Sequence, residues 1–368
     1  MKFQEKNMKK QILILCIVLF LLPGLSLAGS QALILSDMAG RKVEIPFDPD
    51  RIICLGPGTL RLIVYLNAQS KVTGVEDMEK RYPGGRPYWI ANPQLADLPR
   101  CGPGGPGSIN KKPDLEAVLA AKPQVIFVTY MEATLADEVQ SILGIPVVVL
   151  SYGAFSTFDE AVYDALRIAG NILNRKDRAE EVIAYIEALR HDMSRRTRNI
   201  SQGDKPSVYV GGIGYRGVQG IESTEKRFIP FDWVGADNVA QKVPSKIGSH
   251  VAMDKEVLLK LNPQVIFIDS GGLGLVKADI RKKPEYYQAL QGFSSKQVYL
   301  LHPFNWYTTN IGTALSDAYA IGKILYPKEF EDIVPEQKAD EIYTFLVGRP
   351  AYAVMKGEYG ALGAPANF

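Results

Sequence analysis

The sequence predicts an α/β protein of two lobes, each built on a mostly parallel sheet, joined by a long α-helix with a ligand cleft between the lobes. The first observation is a repeat: PDLEAVLAAKPQVIFVTY at 113–130 and MDKEVLLKLNPQVIFIDS at 253–270 share an aspartate, a short helical stretch and the string PQVIF. The second is that each PQVIF string is apolar and β-branched without alternation, which is typical of a strand buried on both faces. A duplicated unit of this kind predicts two lobes on one plan.

The first segment, residues 1–28, has the pattern of a secretory signal peptide. Lysines precede an apolar stretch at 12–22, and SLA at 26–28 offers small residues for cleavage. The apolar stretch is too short to cross a bilayer. Cys16 lies inside that stretch and not after a small-residue box. We therefore expect a soluble periplasmic protein without a lipid anchor.

The mature chain is nearly neutral. Removing the four lysines and one glutamate of the leader from 42 basic and 40 acidic residues leaves the two signs almost equal. A nucleic-acid partner would require a basic surface, so this class is disfavoured. Cys54 and Cys101 remain, and they either pair in an oxidising compartment or stay as separate buried thiols. Two cysteines do not decide between these alternatives.

Helical patterns separate the two lobes. Thr157 and Glu160 form a capping-box pattern, and a longer helix is predicted from about Asp177, where apolar residues recur at helical spacing. No Gly/Ser-rich linker lies between them, so we expect a stiff joint. The predicted parts of the mature chain are, in order, an N-terminal lobe, linking helices, a C-terminal lobe and a helical extension of open role, over residues 29–155, 156–204, 205–326 and 327–368.

An aromatic loop marks the predicted cleft. The sequence HPFNWY at 302–307 follows a predicted strand of the second lobe, at the position where the first lobe has SYGAF at 151–155. Ligands of open α/β sheets bind outside the carboxyl ends of the strands. Pockets are typically apolar and aromatic with a few polar groups. We interpret this loop as a binding surface, with core packing as the alternative.

The stretch LSDMAGRKVEIPFDPDRIICLGPGT at 35–59 resembles the opening signature of the periplasmic binding proteins of iron-siderophore, haem and cobalamin importers. KVTGVE at 71–76 and both PQVIF segments fit the same family. The resemblance covers residues 35–326 and implies a class III binding protein with two Rossmann-like lobes, a long linking helix and limited hinge motion. It also implies a monomer that delivers its cargo to an ABC permease, with the permease's ATPase as an indirect partner. Arg61 stands where members often have an acidic residue, and the segment 79–110 is unusually rich in Gly and Pro.

Candidate ligand contacts come from the strand-end loops and from the Gly/Pro-rich segment. Arginines form forked hydrogen bonds with carboxylate or catecholate oxygens, and aromatic rings stack on planar chelates. An anionic iron(III) chelate matches this mixture, and no cofactor of the protein's own is expected. The alternative for each arginine is a solvated surface charge. The candidates are Thr59, Arg61, Arg86, Tyr88, Trp89, Tyr130, Tyr152, Tyr215, Arg216, Phe304, Trp306, Tyr307 and Asn310.

Two further sets of residues concern metal ions and the permease. His250 and His302 lie near predicted strand ends and could ligate Fe(III) or haem together with tyrosines, although structural histidines are more common. The resemblance implies docking through one acidic residue on each lobe. Candidates for docking are Glu76 or Glu79 on the first lobe and Asp232 or Asp237 on the second. Haem, cobalamin and a bare metal ion remain open beside the siderophore chelate.

Two motifs resemble enzyme signatures. GGIGYRG at 211–217 has the glycine spacing of a dinucleotide site, but the following residues lack an apolar helical face. DSGG at 269–272 resembles the nucleophile loop of trypsin-like proteases, but the repeat explains it as a strand end, and no histidine is an obvious base. We therefore expect a transport protein and not an enzyme. The alternative from another class is a periplasmic metal chelatase on the same scaffold.

Overall fold

The computed structural model describes residues 32–82, 84–154, 158–215, 217–244 and 249–368. The predicted leader and the capping-box residue Thr157 therefore lie outside the described residues. Leu33–Phe368 forms one unit that contains both lobes and their joint. Among the described helices, none combines the length and apolarity needed to cross a bilayer.

The strands belong to both lobes. They are β1 Ala32–Ser36, β2 Lys42–Pro46, β3 Ile52–Leu55, β4 Val125–Thr129, β5 Val147–Leu150, β6 Ser207–Gly211, β7 Ser223–Glu225, β8 Asp237–Asn238, β9 His250–Ala252, β10 Val265–Asp269 and β11 Val298–Leu301.

The α-helices alternate with these strands and then continue to the C-terminus. They are α1 Thr59–Tyr65, α2 Asp77–Arg81, α3 Pro87–Ile90, α4 Leu115–Ala120, α5 Ala133–Leu143, α6 Ala161–Ile172, α7 Lys176–Thr197, α8 Ile229–Val234, α9 Lys255–Leu261, α10 Leu273–Lys282, α11 Pro284–Gln288, α12 Gln291–Ser294, α13 Ile311–Leu325, α14 Pro335–Val347 and α15 Tyr352–Tyr359.

The N-terminal lobe is built on a parallel sheet in the order β3-β4-β5. Every residue of these strands is buried, as expected of continuous apolar runs in a sheet covered on both faces. Because the strands are parallel, Leu55, Thr129 and Leu150 end at one edge. The loops that follow these residues therefore lie side by side.

The C-terminal lobe repeats this arrangement with a parallel sheet in the order β11-β10-β6-β8. Its strands β6, β10 and β11 end at Gly211, Asp269 and Leu301, again at one edge. A small antiparallel pair, β7 with β9, lies beside this sheet. The parallel sheets of both lobes confirm the fold class predicted from the sequence.

The predicted repeat folds as one helix–strand unit in each lobe. Asp114 caps α4 by accepting a hydrogen bond from Ala117 N at 3.1 Å. Asp254 caps α9 by accepting hydrogen bonds from Glu256 N at 2.7 Å and Val257 N at 3.3 Å. A capping carboxylate satisfies backbone N–H groups that have no partner inside the helix. The next strand, β4 or β10, is buried along its whole length.

Helix α7 joins the lobes and spans 22 residues. It packs against α6 on the side of the first lobe and against α8 and α13 of the second lobe. One face of α7 is apolar at helical spacing, as the sequence predicted. The buried residues of that face include Ala179, Val182, Ile183, Ile186, Leu189 and Met193.

The C-terminal extension contacts both lobes. Helix α14 packs against α13 of the second lobe and against α1 and α3 of the first. The last residues then pair with the edge strand β11: Leu300 N donates to Ala364 O at 3.0 Å, and Ala366 N donates to Val298 O at 2.8 Å. The extension thus adds to the second lobe and also reaches across to the first.

Candidate functional site

The strand-end loops of the two lobes meet at a junction formed by the loop 302–310. Arg61 of the first lobe is fully buried there. Its Nη1 donates to Thr309 O at 2.8 Å, and its Nη2 donates to Trp306 O at 3.2 Å and Tyr307 O at 3.1 Å. One guanidinium thus satisfies three carbonyls of the other lobe. The structure therefore gives Arg61 the role of holding this loop, because both of its terminal nitrogens are already engaged within the protein.

A buried carboxylate forms a second link between the lobes. Tyr307 OH donates to Glu76 Oε2 at 2.5 Å, and Gly56 N donates to Glu76 Oε1 at 3.1 Å. Burial raises the pKa of Glu76 to about 7, although these two hydrogen bonds lower it. Gly105 N donates to the Tyr307 hydroxyl at 3.0 Å. The Gly/Pro-rich segment therefore contacts the second lobe at Gly105.

The junction contains backbone conformations that side chains rarely adopt. Tyr130, Tyr307 and Thr308 have φ values of 57°, 54° and 63°. The left-handed region is costly for non-glycine residues, above all for a β-branched one. A Cβ at Gly58 would lie 2.5 Å from Thr308 Cγ2. Strain of this kind is typical of functional sites.

Several predicted ligand contacts lie in the core of the first lobe. Arg86 is fully buried, forms an ion pair with Glu79 and donates to Tyr82 O. Tyr88 OH donates to Glu79 Oε2 at 2.8 Å, and Trp89 is also buried. This placement corrects the expectation that Arg86, Tyr88 and Trp89 face a ligand. Burial of a guanidinium is costly unless the charge is paired, and Glu79 provides that pairing for Arg86.

Other predicted contacts stabilise the loops themselves. Thr59 Oγ1 donates to Leu55 O at 2.6 Å, and Tyr152 OH donates to Gly58 O at 2.9 Å. Asn310 Nδ2 donates to two carbonyls of its own loop, and Phe304 packs against Phe228. Each of the predicted residues Thr59, Tyr152, Phe304 and Asn310 is buried. These buried side chains therefore stabilise the loops of the junction.

Three of the predicted ligand-contact residues are partly exposed to solvent. Trp306 and Tyr130 are half-buried, and Tyr215 is 44% exposed. The Trp306 ring meets Tyr82 edge-on with the ring centroids 5.8 Å apart. Tyr215 stacks on His250 at 3.9 Å. Arg216, the neighbour of Tyr215, lies outside the described residues.

The two predicted metal-binding histidines have different surroundings. His302 is buried, its Nε2 donates to Gly360 O at 2.9 Å, and burial lowers its pKa to about 4. His250 Nε2 is hydrogen-bonded to Ser223 Oγ at 2.9 Å. Within the described residues, no group of three or more His, Cys, Asp or Glu side chains is arranged to hold a metal ion. The structure thus assigns His302 a structural hydrogen bond.

The structure decides between the two alternatives for the cysteines and corrects the docking candidates of the first lobe. Cys54 and Cys101 are free and buried, and the segment 73–75 lies between them because Thr73 N bonds to Ile52 O and Cys101 N bonds to Val75 O. Glu76 and Glu79 are buried, so neither can meet a permease surface. The second-lobe candidates Asp232 and Asp237 retain exposed side-chain surface, 36% and 27%.

A cavity of about 210 Å³ lies between the lobes next to α7. Phe158 follows the last strand of the first lobe, and its ring lies 5.4 Å from the ring of Trp233 in the second lobe. Arg190 stacks on Phe158 at 4.5 Å, but it also forms an ion pair with Glu187. The lining residues are Phe158, Arg190, Arg227, Ile229, Asp232 and Trp233.

Arg227 is an exposed, positively charged residue in the lining of this cavity. It is not among the site residues predicted from the sequence. Its side chain is 70% exposed, and its Nε lies 3.9 Å from Asp232 Oδ2. It follows the short strand β7, which has no counterpart in the sequence repeat. Adjacent lysine and arginine residues, as in EKRF at 225–228, are typical of an ordinary charged surface. No local sequence pattern therefore identifies Arg227 as a candidate site residue.

Comparison with known proteins places the chain in a family. The family model described as "Periplasmic binding protein" matches residues 52–303. The Molybdate-binding protein MolA of Haemophilus influenzae is 25% identical over 358 residues, 91% of this chain and 95% of that protein. The uncharacterized ABC transporter substrate-binding lipoprotein YvrC of Bacillus subtilis is 21% identical over 300 residues, 81% of this chain and 87% of that protein.

Solved structures show the same fold. A periplasmic solute binding protein from Veillonella parvula matches with a TM-score of 0.70 and 17% identity over 89% of this chain and 97% of that one. MolA bound to molybdate matches with a TM-score of 0.67 and 20% identity over 87% of this chain and 99% of that one. Because the family model matches more than half of the chain, the protein belongs to the periplasmic binding proteins of ABC importers, as the resemblance implied.

Proposed function

We propose that this solute-binding protein of an ABC importer captures a small metal oxyanion of the molybdate type in the cleft between its lobes and presents it to the permease. Arg227, at the cavity between the lobes, would supply the charge that attracts the anion. The half-buried Tyr130 and Trp306 would close the cleft at the strand ends. The predicted leader at 1–28 would direct export to the periplasm.

The observation that carries this proposal is the engagement of Arg61 with the loop 302–310. This contact brings the lobes together and removes Arg61, Tyr88 and Tyr152 from the surface on which a large chelate would stack. The cavity of about 210 Å³ between the lobes is below the roughly 300–1,000 Å³ of pockets for drug-sized ligands. A tetrahedral oxyanion needs much less room. The similarity to a molybdate-binding protein supports the same ligand class.

An iron(III) siderophore chelate is the second candidate. The exposed Tyr82, with the half-buried Trp306, and the Tyr215–His250 stack offer ring faces near the strand ends, and rings of this kind suit planar chelate groups. The structure of an ABC-type Fe3+-hydroxamate transport system from Saccharomonospora viridis is similar, with a TM-score of 0.51, 18% identity, and coverage of 80% of this chain and 99% of that one. Haem and cobalamin would need still larger pockets.

The experiment is a calorimetric titration of the purified mature protein, combined with native mass spectrometry. We expect sodium molybdate to bind with matching added mass and sodium sulfate to bind more weakly. We also expect Arg227→Ala to weaken molybdate binding about tenfold, since losing one charge-assisted contact costs about 1.4 kcal/mol. Arg281→Ala, an exposed arginine on α10, is the matched control.

The same titrations with a ferric hydroxamate, haemin and cyanocobalamin test the alternatives. Binding of the ferric hydroxamate without molybdate would replace the first candidate with the second. In that case Trp306→Ala should weaken chelate binding with little change in melting temperature. A fall in melting temperature with unchanged affinity would make Trp306 a core residue. The mass of the exported chain would also test cleavage after residue 28 and the absence of a lipid.

A further inference from the structure

The end of the last helix lies where the two lobes meet. Glu358 Oε2 accepts a hydrogen bond from Gly85 N of the first lobe at 3.0 Å. Two residues later, Gly360 O accepts a hydrogen bond from His302 Nε2, at the start of the second-lobe loop, at 2.9 Å. We name residues 358–360 the terminal corner. Within three residues it is bonded to both sides of the junction.

The first-lobe side of this contact lies close to the terminal corner at two glycines. A Cβ at Gly84 would lie 2.6 Å from Glu358 Oε2, and a Cβ at Gly85 would lie 2.8 Å from Tyr359 OH. Gly85 also has a φ of +69°, in the left-handed region that disfavours a side chain. The sequence GG at 84–85 therefore allows the terminal corner to lie directly on the backbone. Such a fit indicates a specific contact.

The terminal corner contacts one segment of each lobe, and each of these segments contributes one ring to an aromatic pair. Tyr82 lies two residues before Gly84, and Trp306 lies four residues after His302. Their rings meet edge-on at 5.8 Å, with Tyr82 44% exposed. The Cβ position of Gly85 is 3.4 Å from Trp306 Cδ1. Movement of either segment would therefore change the geometry of the pair.

We propose that the terminal corner positions the Tyr82–Trp306 pair for ligand recognition, with Glu358 and His302 as its positioning residues. This inference rests on the proposed function, because it takes the pair to face the ligand cleft. The extension thereby acquires a role in recognition, although it lies beyond the residues that the family model matches. The contact requires an acceptor at 358 and not a negative charge, since its donor is a neutral backbone N–H.

Variants at position 358 can separate the need for a hydrogen-bond acceptor from the need for a negative charge. Glu358→Ala removes the acceptor, whereas Glu358→Gln keeps an oxygen in the same place. Glu331→Ala is the matched control, because Glu331 is an exposed acid of the same extension whose side chain has no hydrogen-bond or ion-pair partner among the described residues. His302→Ala tests the other side of the corner. The full mature chain is used throughout.

The first readout is fluorine NMR of protein labelled with 5-fluorotryptophan. The chain has three tryptophans, and Trp306→Phe identifies the Trp306 resonance. We expect Glu358→Ala to shift or broaden that resonance alone, Glu358→Gln to leave it close to wild type, and Glu331→Ala to move none. An unmoved Trp306 resonance in both Glu358→Ala and His302→Ala would overturn the positioning role. Because Glu358 is exposed, its variant should fold even if His302→Ala does not.

The second readout is titration of the same variants with sodium molybdate and with a ferric hydroxamate. We expect Glu358→Ala to weaken the bound probe roughly three- to tenfold and Glu358→Gln to stay near wild type. A shifted resonance with unchanged affinity for a probe that binds wild type would overturn the link to recognition. If wild type binds neither probe while the resonance still shifts, the positioning role stands and the proposed ligand class fails.

Discussion

The two copies of the repeat, residues 113–130 and 253–270, build the same unit by the same contacts. Gln124 Oε1 accepts hydrogen bonds from Asp50 N and Arg51 N at the start of β3, and Gln264 Oε1 accepts one from Ser207 N at the start of β6. In each lobe the glutamine of PQVIF thus aligns the neighbouring strand. The duplicated residues therefore encode architecture and not ligand recognition.

The copies differ where their strands end. In the first lobe Thr129 Oγ1 donates to Pro57 O at 2.8 Å, and the nearby buried acid Glu79 is paired with Arg86. In the second lobe the strand ends at Asp269, a buried carboxyl bonded to Gly271 N. Asp317 Oδ2 behind it is also buried, with no hydrogen-bond partner among the described residues. The first lobe thus buries Glu79 with a cation, whereas the second lobe buries Asp269 and Asp317 without one.

The largest expected effect is on the paired acid of the first lobe. Arg86→Ala would leave the Glu79 carboxylate buried without its cation, which costs about 3–5 kcal/mol of unfolding free energy. Urea unfolding measures this loss, and Arg281→Ala on the surface should stay within about 0.5 kcal/mol of wild type. The double variant Arg86→Met/Glu79→Gln should recover part of the loss. A cost below about 1 kcal/mol for Arg86→Ala would remove the contrast between the lobes.

The second effect concerns the contact that joins the two different strand ends. Arg61→Ala would leave the carbonyls of Tyr307 and Thr309 without this buried donor, whereas Trp306 O would keep its hydrogen bond from Asn310 Nδ2. We expect a loss of about 2–4 kcal/mol, because each unsatisfied buried acceptor is costly. Urea unfolding again measures it, and hydrogen exchange should show faster opening of the loop 302–310. An unchanged exchange rate there would show that Arg61 does not hold the loop.

The third effect is the pH dependence of the unpaired acid of the second lobe. Burial raises the pKa of Asp269 to about 7, above an unfolded value of about 3.9. The folded state therefore binds this proton more tightly, so the stabilisation is present below about pH 4 and is lost as the pH rises through 7.

Asp269→Asn should remove that dependence. Between pH 4.5 and 8, wild type should lose roughly 2–3 kcal/mol of unfolding free energy relative to the variant. Urea unfolding of both proteins at the two pH values gives the difference. Asp279→Asn, which alters an acid paired with Lys255, is the control and should show no such gain at high pH. Parallel pH curves for wild type and Asp269→Asn would exclude a raised pKa at Asp269.

The smallest effect tests the equivalence of the repeats themselves. Gln124→Ala and Gln264→Ala should each cost about 0.5–1.5 kcal/mol, the value of a side-chain hydrogen bond to the backbone. Gln124 accepts two hydrogen bonds from backbone N–H groups and Gln264 accepts one, so the first loss should be slightly larger. Thermal or urea unfolding measures both. A loss in only one lobe would show that the shared glutamine has diverged in role.

The sequence by itself determined the architecture of this protein. Asp114 and Asp254 at helix starts, and the apolar runs after each PQVIF string, act through neighbours within a few residues, so their patterns could be interpreted locally. The lobes, the parallel sheets and the family followed from them. The candidate site was predicted only in part: the junction of the strand ends was located, but most of its side chains were assigned to the ligand.

Tertiary structure decided which of those side chains are available. Arg61 follows a strand end as predicted, but its guanidinium is bonded to carbonyls that lie about 245 residues away in the chain. Arg86 is buried beside Glu79, which pairs with its charge, whereas the Arg227 side chain is 70% exposed, with its Nε 3.9 Å from Asp232 Oδ2. Burial and pairing of a polar group depend on partners brought together only by the fold. Such partners cannot be inferred from a local sequence pattern.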